Sequence, residues 1–233
     1  MDVLPRRLTL ADAWEMRDPE TSDARLWALV GVGGDELTGL GPDLAAGTRA
    51  FVIAGPPKSG RSTLLLNLAE AYLNKGVRLV LSTPRTSPLA ELEGREGVVE
   101  VLKGNKLKAD QVREALVSAS PGQPVVMLMD DAEELRRCDA SDELKTVITQ
   151  GADRGTAIVL AGDAEEICSG LTGWQPEAKK GRRGVLLSPR NHRQGDLIGA
   201  KSPRSAAVEQ VQPGSGILHL GDGAPVAVKI PEP

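Results

Sequence analysis

Nine consecutive residues have the types and the spacing of a phosphate-binding loop. They are Gly55, Pro56, Pro57, Lys58, Ser59, Gly60, Arg61, Ser62 and Thr63. An apolar run precedes them and a segment with an apolar face follows them, which is the strand–loop–helix context that such a loop requires. In that context the backbone N–H groups and the positive end of the helix dipole attract phosphate. We therefore expect the N–H groups of residues 58–63 to hold phosphates and the Ser62 hydroxyl to bind Mg²⁺. The alternative is a tight turn that needs two glycines for its backbone alone.

Arg61 stands where this loop pattern normally has lysine. A guanidinium group is larger and planar and has less geometric freedom than an ammonium group, so the exchange is not conservative. The positive charge is kept, which favours continued phosphate binding. Positioning of the terminal phosphoryl group is most of phosphoryl-transfer catalysis, and we expect that positioning to suffer. Lys58 either supplies a second charge or is a solvated loop lysine.

A second motif ends in Asp130 and Asp131, which follow the apolar run of residues 125–129. An acidic residue at the end of a buried strand resembles a Walker B segment, in which Asp130 would hold the metal ion through water. The next residue is normally a glutamate that polarises the attacking water. Asp131 is shorter by one methylene, and a misplacement of about 1 Å can cost ~10²-fold in rate. The alternative is that the two carboxylates simply terminate the strand.

The basic residues 179–183 are the candidate for an anion or nucleic-acid contact, with a solvated loop as the alternative. The whole chain carries a net charge of −4 and has a pI near 5.4, whereas proteins that bind nucleic acid non-specifically have a basic footprint. We therefore do not expect DNA to be a partner.

The elements that must position these residues alternate between strands and helices. Apolar runs predict strands at 27–32, 36–43, 50–54, 77–81, 97–101, 124–131, 156–161, 184–187, 216–220 and 225–230. Helical spacing predicts helices at 8–16, 62–75, 110–118, 142–150 and 163–168 and one turn at 194–198, and residues 170–183 look irregular. This alternation predicts an α/β fold with a mainly parallel sheet. The two strands before the loop suggest an antiparallel addition to one edge, and the last two read as a hairpin.

The 233 residues suit one large α/β domain with a short extension. We assign residues 1–26 to a lead-in that packs on the domain and residues 27–233 to the domain itself. Cys138 and Cys168 lack partners at metal-ligand spacing, and two sparse thiols favour a reducing compartment. No stretch approaches the ~20 apolar residues that a membrane span needs. We therefore expect a soluble, cytoplasmic chain.

Four segments together resemble FtsK/SpoIIIE-type ATPase domains. They are residues 33–37, 52–63, 127–132 and 213–216. The phosphate loop alone is common to many families, whereas its combination with the Gly-Gly-Asp-Glu-Leu segment and the final hairpin is more specific. The likeness extends to the C-terminal, degenerate ATPase domain of EccC-like type VII secretion proteins and covers the chain from about residue 4 onward.

This resemblance implies a RecA-like P-loop NTPase fold that binds ATP and Mg²⁺ at residues 55–63. It implies a longer parent protein with sister ATPase domains, which assembles into hexamers at the cytoplasmic face of a membrane. In EccC-like proteins the last domain can hold the C-terminal signal of a secreted WXG-type substrate in a hydrophobic pocket, so that signal is a second expected partner. A stand-alone protein is the alternative to an excised domain.

Three positions depart from the active members of that family. They are Arg61, Asp131 and the segment Ala161-Gly162-Asp163, which replaces a polar sensor after the strand. Two functions stay open. The chain is either an ATP-binding domain that hydrolyses weakly or not at all and acts in substrate recognition or regulation, or an active motor ATPase that translocates DNA or protein.

Overall fold

The structure, a computed structural model, describes residues 4–169, 172–200 and 211–232. The strands within these ranges are β1 (Gly31–Gly33), β2 (Thr38–Leu40), β3 (Ala50–Ala54), β4 (Arg78–Thr83), β5 (Val98–Lys103), β6 (Val125–Met129), β7 (Thr156–Gly162), β8 (Arg183–Leu187), β9 (Ser215–Leu220) and β10 (Val226–Lys229). The α-helices are α1 (Leu10–Glu15), α2 (Pro19–Ser22), α3 (Arg61–Asn74), α4 (Ala109–Ala115), α5 (Ser141–Thr149), α6 (Gly151–Arg154), α7 (Ala164–Ser169) and α8 (Gln175–Lys180). Short 3₁₀ helices cover Pro88–Leu92, Ala132–Leu135 and His192–Ile198.

One sheet contains these strands in the order β2-β1-β10-β9-β8-β3-β7-β6-β4-β5. The six strands from β8 to β5 in that order pair in parallel. The strands from β8 to β2 pair antiparallel, and β10 lies between β1 and β9. This confirms the predicted α/β, RecA-like fold with a mainly parallel sheet and antiparallel additions at one edge.

The strand before the phosphate loop, β3, lies inside the parallel part of the sheet, and all five of its residues are buried. Its side chains alternate between two cores. Val52 packs in the core that includes α5 and α8, whereas Phe51 and Ile53 pack in the core that includes α3. Because helices cover both faces, the strand reads as a continuous apolar run rather than an alternating one.

Helix α3 begins and ends at glycines with positive φ. Gly60, with φ +104°, turns the chain from the loop into the helix. At the other end Gly76 has φ +66°, and the Val77 N–H donates to the Tyr72 carbonyl at 3.0 Å. Gly76 therefore caps the C-terminal end of α3, because this closing bond and left-handed glycine are typical of helix ends.

The segment before β1 packs on the rest of the chain through a small apolar cluster and through Lys75. Leu8 and Ala13 join Trp27 and Leu29 in that cluster. The Lys75 ammonium group donates to three backbone carbonyls of the same region, those of Ser22 (2.6 Å), Ala24 (2.8 Å) and Trp27 (2.9 Å). These contacts support our proposal that residues 1–26 are a lead-in that packs on the domain.

Replacing Lys75 with methionine is expected to lower the free energy of unfolding by about 1–2 kcal/mol, because three carbonyls lose a charged donor. Urea unfolding followed by circular dichroism measures this change. Lys145→Met is the matched control, since Lys145 makes an exposed pair with Asp142 that should contribute under about 0.5 kcal/mol. Equal losses in both variants would show that the Lys75 contacts do not hold the lead-in.

The prediction that residues 170–183 are irregular is wrong for residues 175–180, which form α8; residues 170 and 171 lie outside the described ranges. The helix depends on contacts that are distant in sequence. Trp174 is fully buried, and its indole N–H donates to the Leu135 carbonyl at 2.9 Å. The Gln175 amide donates to the Ala132 carbonyl at 2.8 Å. Local composition contains no signal for these partners.

The strand predicted at 27–32 is shorter than expected, since regular pairing covers only Gly31–Gly33. Trp27 still forms an isolated bridge with Asp43. Between these two points the partner segment contains Pro42, which has no N–H group to donate to a ladder.

Within the described ranges, no helix combines the length and the apolar character needed to cross a membrane.

Candidate functional site

The predicted loop leaves the carboxyl end of β3 and folds tightly on itself. The Gly55 N–H donates to the Gly162 carbonyl (3.2 Å), and the Ser59 N–H donates to the Pro56 carbonyl (3.2 Å). A Cβ atom at Gly55 would lie 2.6 Å from the Ser59 hydroxyl, so only glycine fits there. Lys58 has φ +66°, and the following turn at Gly60 is also left-handed. Alternating turns of this kind point backbone N–H groups into one concavity, which suits an anion.

The remaining loop residues lie around that concavity. Pro57 and Lys58 are exposed, Ser59 is buried, and Ser62 and Thr63 belong to the first turn of α3. The structure therefore has the strand–loop–helix arrangement on which the phosphate-binding prediction depends.

Arg61 is held inside the site by two contacts. Its guanidinium group donates to the Gly55 carbonyl at 3.1 Å and lies 3.5 Å from a carboxylate oxygen of Asp131. Only 12% of the Arg61 side chain is exposed. The positive charge is therefore kept beside the loop, but part of its donor capacity is used by the loop itself and by Asp131.

Asp130 is the most buried acidic residue of the site, with 3% of its surface exposed. One of its carboxylate oxygens accepts hydrogen bonds from the Ser62 hydroxyl (2.8 Å) and the Ser87 hydroxyl (2.7 Å), and the other accepts from the Asp131 N–H (3.1 Å). The two side chains that we predicted to hold Mg²⁺ are thus in direct contact. Hydroxyl and carboxylate oxygens are the donors that this hard cation prefers, so these residues fit it.

Asp131 follows in a left-handed conformation, with φ +45°, at the start of the 3₁₀ helix Ala132–Leu135. Burial raises the pKa of the Asp131 carboxyl, and the charge of Asp130 adds to the rise, whereas Arg61 and Arg85 oppose it. The predicted position of the water-polarising residue is therefore occupied by a short carboxylate that faces Arg61.

Two residues of the site were missed by sequence reasoning. Ser87 begins the 3₁₀ helix Pro88–Leu92, where its hydroxyl accepts the Leu89 N–H, and it also binds Asp130. Glu133 lies beside Gly162 at the end of β7. Burial raises the pKa of the Glu133 carboxyl, and the backbone N–H groups of Glu133 and Asp163 lower it by a smaller amount. The signal that could have revealed Glu133 is a glycine at the sensor position paired with an additional acidic residue after Asp131.

A cavity of about 600 Å³ opens next to the loop. Four arginines and four acidic residues share its wall, and they include Arg61, Arg85, Arg136, Glu133 and Glu134. Two ion pairs cross part of it, Arg85 to Glu134 (2.5 Å) and Arg136 to Glu166 (3.2 Å). Because the charges nearly balance, the cavity suits a ligand that carries its own counter-ion better than a bare anion.

The basic residues 179–183 make contacts within the chain that compete with an external anion. These contacts join Lys179 to the Ile167 carbonyl (2.9 Å), Lys180 to Glu177 (2.7 Å) and Arg183 to the Asp43 carbonyl (2.9 Å). Burial lowers the pKa of the Lys179 ammonium and of the Arg183 guanidinium. The interpretation of this cluster as a nucleic-acid contact therefore gains no support from the structure.

No protein-family model and no curated protein matches the sequence. Solved structures do match it. ATPases 2 and 3 of EssC from Geobacillus thermodenitrificans superpose with a TM-score of 0.76 at 17% identity, over 99% of this chain and 45% of that one. The cytoplasmic domain of the type VII secretion ATPase EccC from Thermomonospora curvata gives a TM-score of 0.77 at 15% identity, over 100% of this chain and 28% of that one.

A third match is Thermomonospora curvata EccC (ATPases 2 and 3) in complex with a signal sequence peptide. Its TM-score is 0.75 at 16% identity, and the match covers 100% of this chain and 44% of that one. The chain thus spans less than half the length of these structures. At such identities the likeness establishes the fold, and this chain has the fold of the EccC and EssC ATPase domains.

Proposed function

We propose that this chain is an FtsK/SpoIIIE-type, ATP-binding domain of a type VII secretion ATPase that hydrolyses ATP weakly or not at all. The observation that carries the proposal is the state of Arg61. Its guanidinium group, on the first residue of α3, is bound to the Gly55 carbonyl and to Asp131, beside a loop whose backbone still forms an anion cradle. Such a site retains binding and loses the freedom of its catalytic groups.

The binding half of the proposal uses the backbone more than the side chains. The N–H groups of residues 58–63 would hold the phosphates, and Arg61 would contribute charge. Ser62 and Asp130 would hold Mg²⁺, Asp130 through water, since their oxygens are already 2.8 Å apart. The metal ion supplies neutralisation of phosphate charge when bound.

The catalytic half is weak for reasons that lie in named residues. Asp131 is shorter than glutamate, and its carboxylate faces Arg61 rather than an open position. Gly162, at the sensor position, has no side chain to hydrogen-bond a phosphate or a water. Since catalysis of phosphoryl transfer depends on positioning, each of these changes is expected to slow it.

Partners follow from the fold and the likeness. The similar EccC and EssC structures contain more than one ATPase domain, and one is a complex with a signal sequence peptide. This supports sister ATPase domains of a longer parent and a signal peptide as partners of this chain. That the parent assembles as a hexamer, and that the peptide is the C-terminal signal of a WXG-type substrate, we propose from the family resemblance alone. We propose that this chain lies in the cytoplasm and that only the parent protein brings it to the cytoplasmic face of a membrane.

The test combines calorimetry with phosphate release. We expect the wild-type chain to bind ATP with Mg²⁺ and to turn over at least ~10²-fold more slowly than the roughly 1–100 s⁻¹ of typical kinases. The double variant Arg61→Lys with Asp131→Glu should raise turnover about tenfold or more, because it frees the cation from Asp131 and lengthens the carboxylate.

The alternative, an active motor ATPase that translocates DNA or protein, expects fast wild-type turnover and no gain from the double variant. Arg113→Lys with Glu143→Asp is the matched control, since it alters an exposed arginine–carboxylate pair away from the loop. An equal gain in turnover in this control would show that the gain of the double variant does not come from Arg61 and Asp131. Rapid phosphate release by the wild type would overturn the proposal.

A further inference from the structure

The Glu133 carboxylate lies in the space that a side chain at position 162 would fill. Gly162 ends β7, which lies between β3, the strand before the phosphate loop, and β6, the strand before Asp130. A Cβ atom at Gly162 would lie 2.1 Å from the Glu133 Oε2 atom and 2.6 Å from Ile167. A side chain at position 162 and Glu133 in its present position are therefore incompatible. The carboxylate of Glu133 lies where a sensor side chain would project.

The Glu133 carboxylate differs from the other acids of the same cavity. Glu134 and Glu166 form ion pairs with Arg85 and Arg136. In contrast, Oε2 of Glu133 is buried and accepts no hydrogen bond of good geometry from the residues that the structure describes. The backbone N–H groups of Glu133 and Asp163 act on the carboxyl only by lowering its pKa. A buried acceptor without a well-placed donor is unfavourable, and a water molecule could satisfy it whereas the acceptor oxygens of a phosphate could not.

The Glu133 carboxylate interacts electrostatically with charged residues beside the phosphate loop. Arg61 attracts its carboxylate, and Asp131 repels it. Burial is the largest cause of the raised pKa of the Glu133 carboxyl, Asp131 adds to the rise, and Arg61 opposes it. A group added to the end of a bound phosphate chain, between Arg61 and the end of β7, would enter the cavity whose wall includes this carboxylate.

We propose that Glu133 replaces the side chain missing at Gly162 and is the positioning residue that faces the terminal phosphate of a bound nucleotide, so that the site distinguishes a triphosphate from a diphosphate. This role rests on the proposed nucleotide binding at residues 55–63. Two like charges at short distance repel, so the carboxylate selectively disfavours the additional phosphate.

The experiment measures Kd for ATP and for ADP by calorimetry with Mg²⁺, on the whole chain. Glu133→Gln keeps the size and removes the charge. We expect this variant to lower the Kd for ATP about tenfold, which is the change in an equilibrium constant that one pKa unit represents. The Kd for ADP should change less than twofold. Glu134→Gln is the matched control in the same cavity, and it should alter both affinities alike.

A swapped variant guards against misfolding of the first. Gly162→Ser with Glu133→Ala removes the clash with Glu133 and returns a neutral hydroxyl to the sensor position, and only the end of the Ile167 side chain must then shift. This variant should reproduce the tenfold gain for ATP. Equal changes for ATP and ADP in Glu133→Gln would overturn this inference and leave the proposed function intact. Failure of the wild type to bind either nucleotide would overturn both.

Discussion

Replacing Asp130 with asparagine is expected to remove the magnesium-dependent part of ATP binding, a loss of about 10- to 100-fold in affinity at millimolar Mg²⁺. The carboxylate is buried and directly contacts the Ser62 hydroxyl, so it is the group that would orient the ion and its waters. An amide has half the oxygen atoms and no charge. Binding measured in EDTA should therefore change less than twofold, and calorimetry with and without metal separates the two effects.

Ser87→Ala is the matched control for this substitution. It removes one hydroxyl from Asp130 but keeps the carboxylate, so the magnesium dependence should survive with a smaller loss. If Asp130→Asn weakens ATP binding equally with metal and in EDTA, Asp130 holds the loop rather than the ion, and the assignment of a metal site is wrong.

The second large effect is on stability. Gly155→Ala is expected to lower the free energy of unfolding by about 3 kcal/mol, which guanidinium unfolding measures. Gly155 ends α6 with φ +68°, a conformation that costs roughly 1 kcal/mol for a residue with a side chain. Its Cβ would also lie 2.0 Å from the Ser120 carbonyl, and overpacking of this kind costs about 1–3 kcal/mol more.

Gly76 allows the two causes to be separated. It has nearly the same backbone conformation, φ +66°, and nothing lies within 4 Å of a Cβ atom built there. Gly76→Ala should therefore cost only about 1 kcal/mol. If both alanine variants lose the same stability, the close approach of Ser120 has no energetic weight and the path of the chain into β7 differs from that described.

The parts of the fold that were predicted correctly are those in which local sequence and tertiary packing agree. The strand Ala50–Ala54 has an apolar side chain at each position, as a strand covered on both faces needs. Helix α8 was missed because its stability comes from the buried Trp174 and from Gln175, whose partners lie some 40 residues earlier in the chain, at separations of 39 and 43. Periodicity cannot reveal such partners.

The same distinction applies to the candidate site. The loop and Asp130 lie within motifs of fixed spacing, so sequence reasoning found them and the structure brings them into contact. Ser87 and Glu133 belong to no motif. They enter the site because strands β4, β6 and β7 are neighbours, which makes their side chains meet across the sheet edge. The contact between Arg61 and Asp131 likewise could not be predicted, because the two residues are 70 positions apart in the chain, although each stood out in the sequence as a departure from its motif.

The position of β10 also determines when the sheet can be completed during folding. β1 and β2 form a local pair, but they connect to β9 and the parallel strands only through β10, the strand latest in sequence. Contacts between segments so distant along the chain form slowly, because a long loop must close first. β9 and β10 form a local hairpin and dock together, and until they do β1 and β8 each present unpaired backbone groups that another chain could pair with. Slow docking of this hairpin would thus govern both the last folding step and the tendency to self-associate during it.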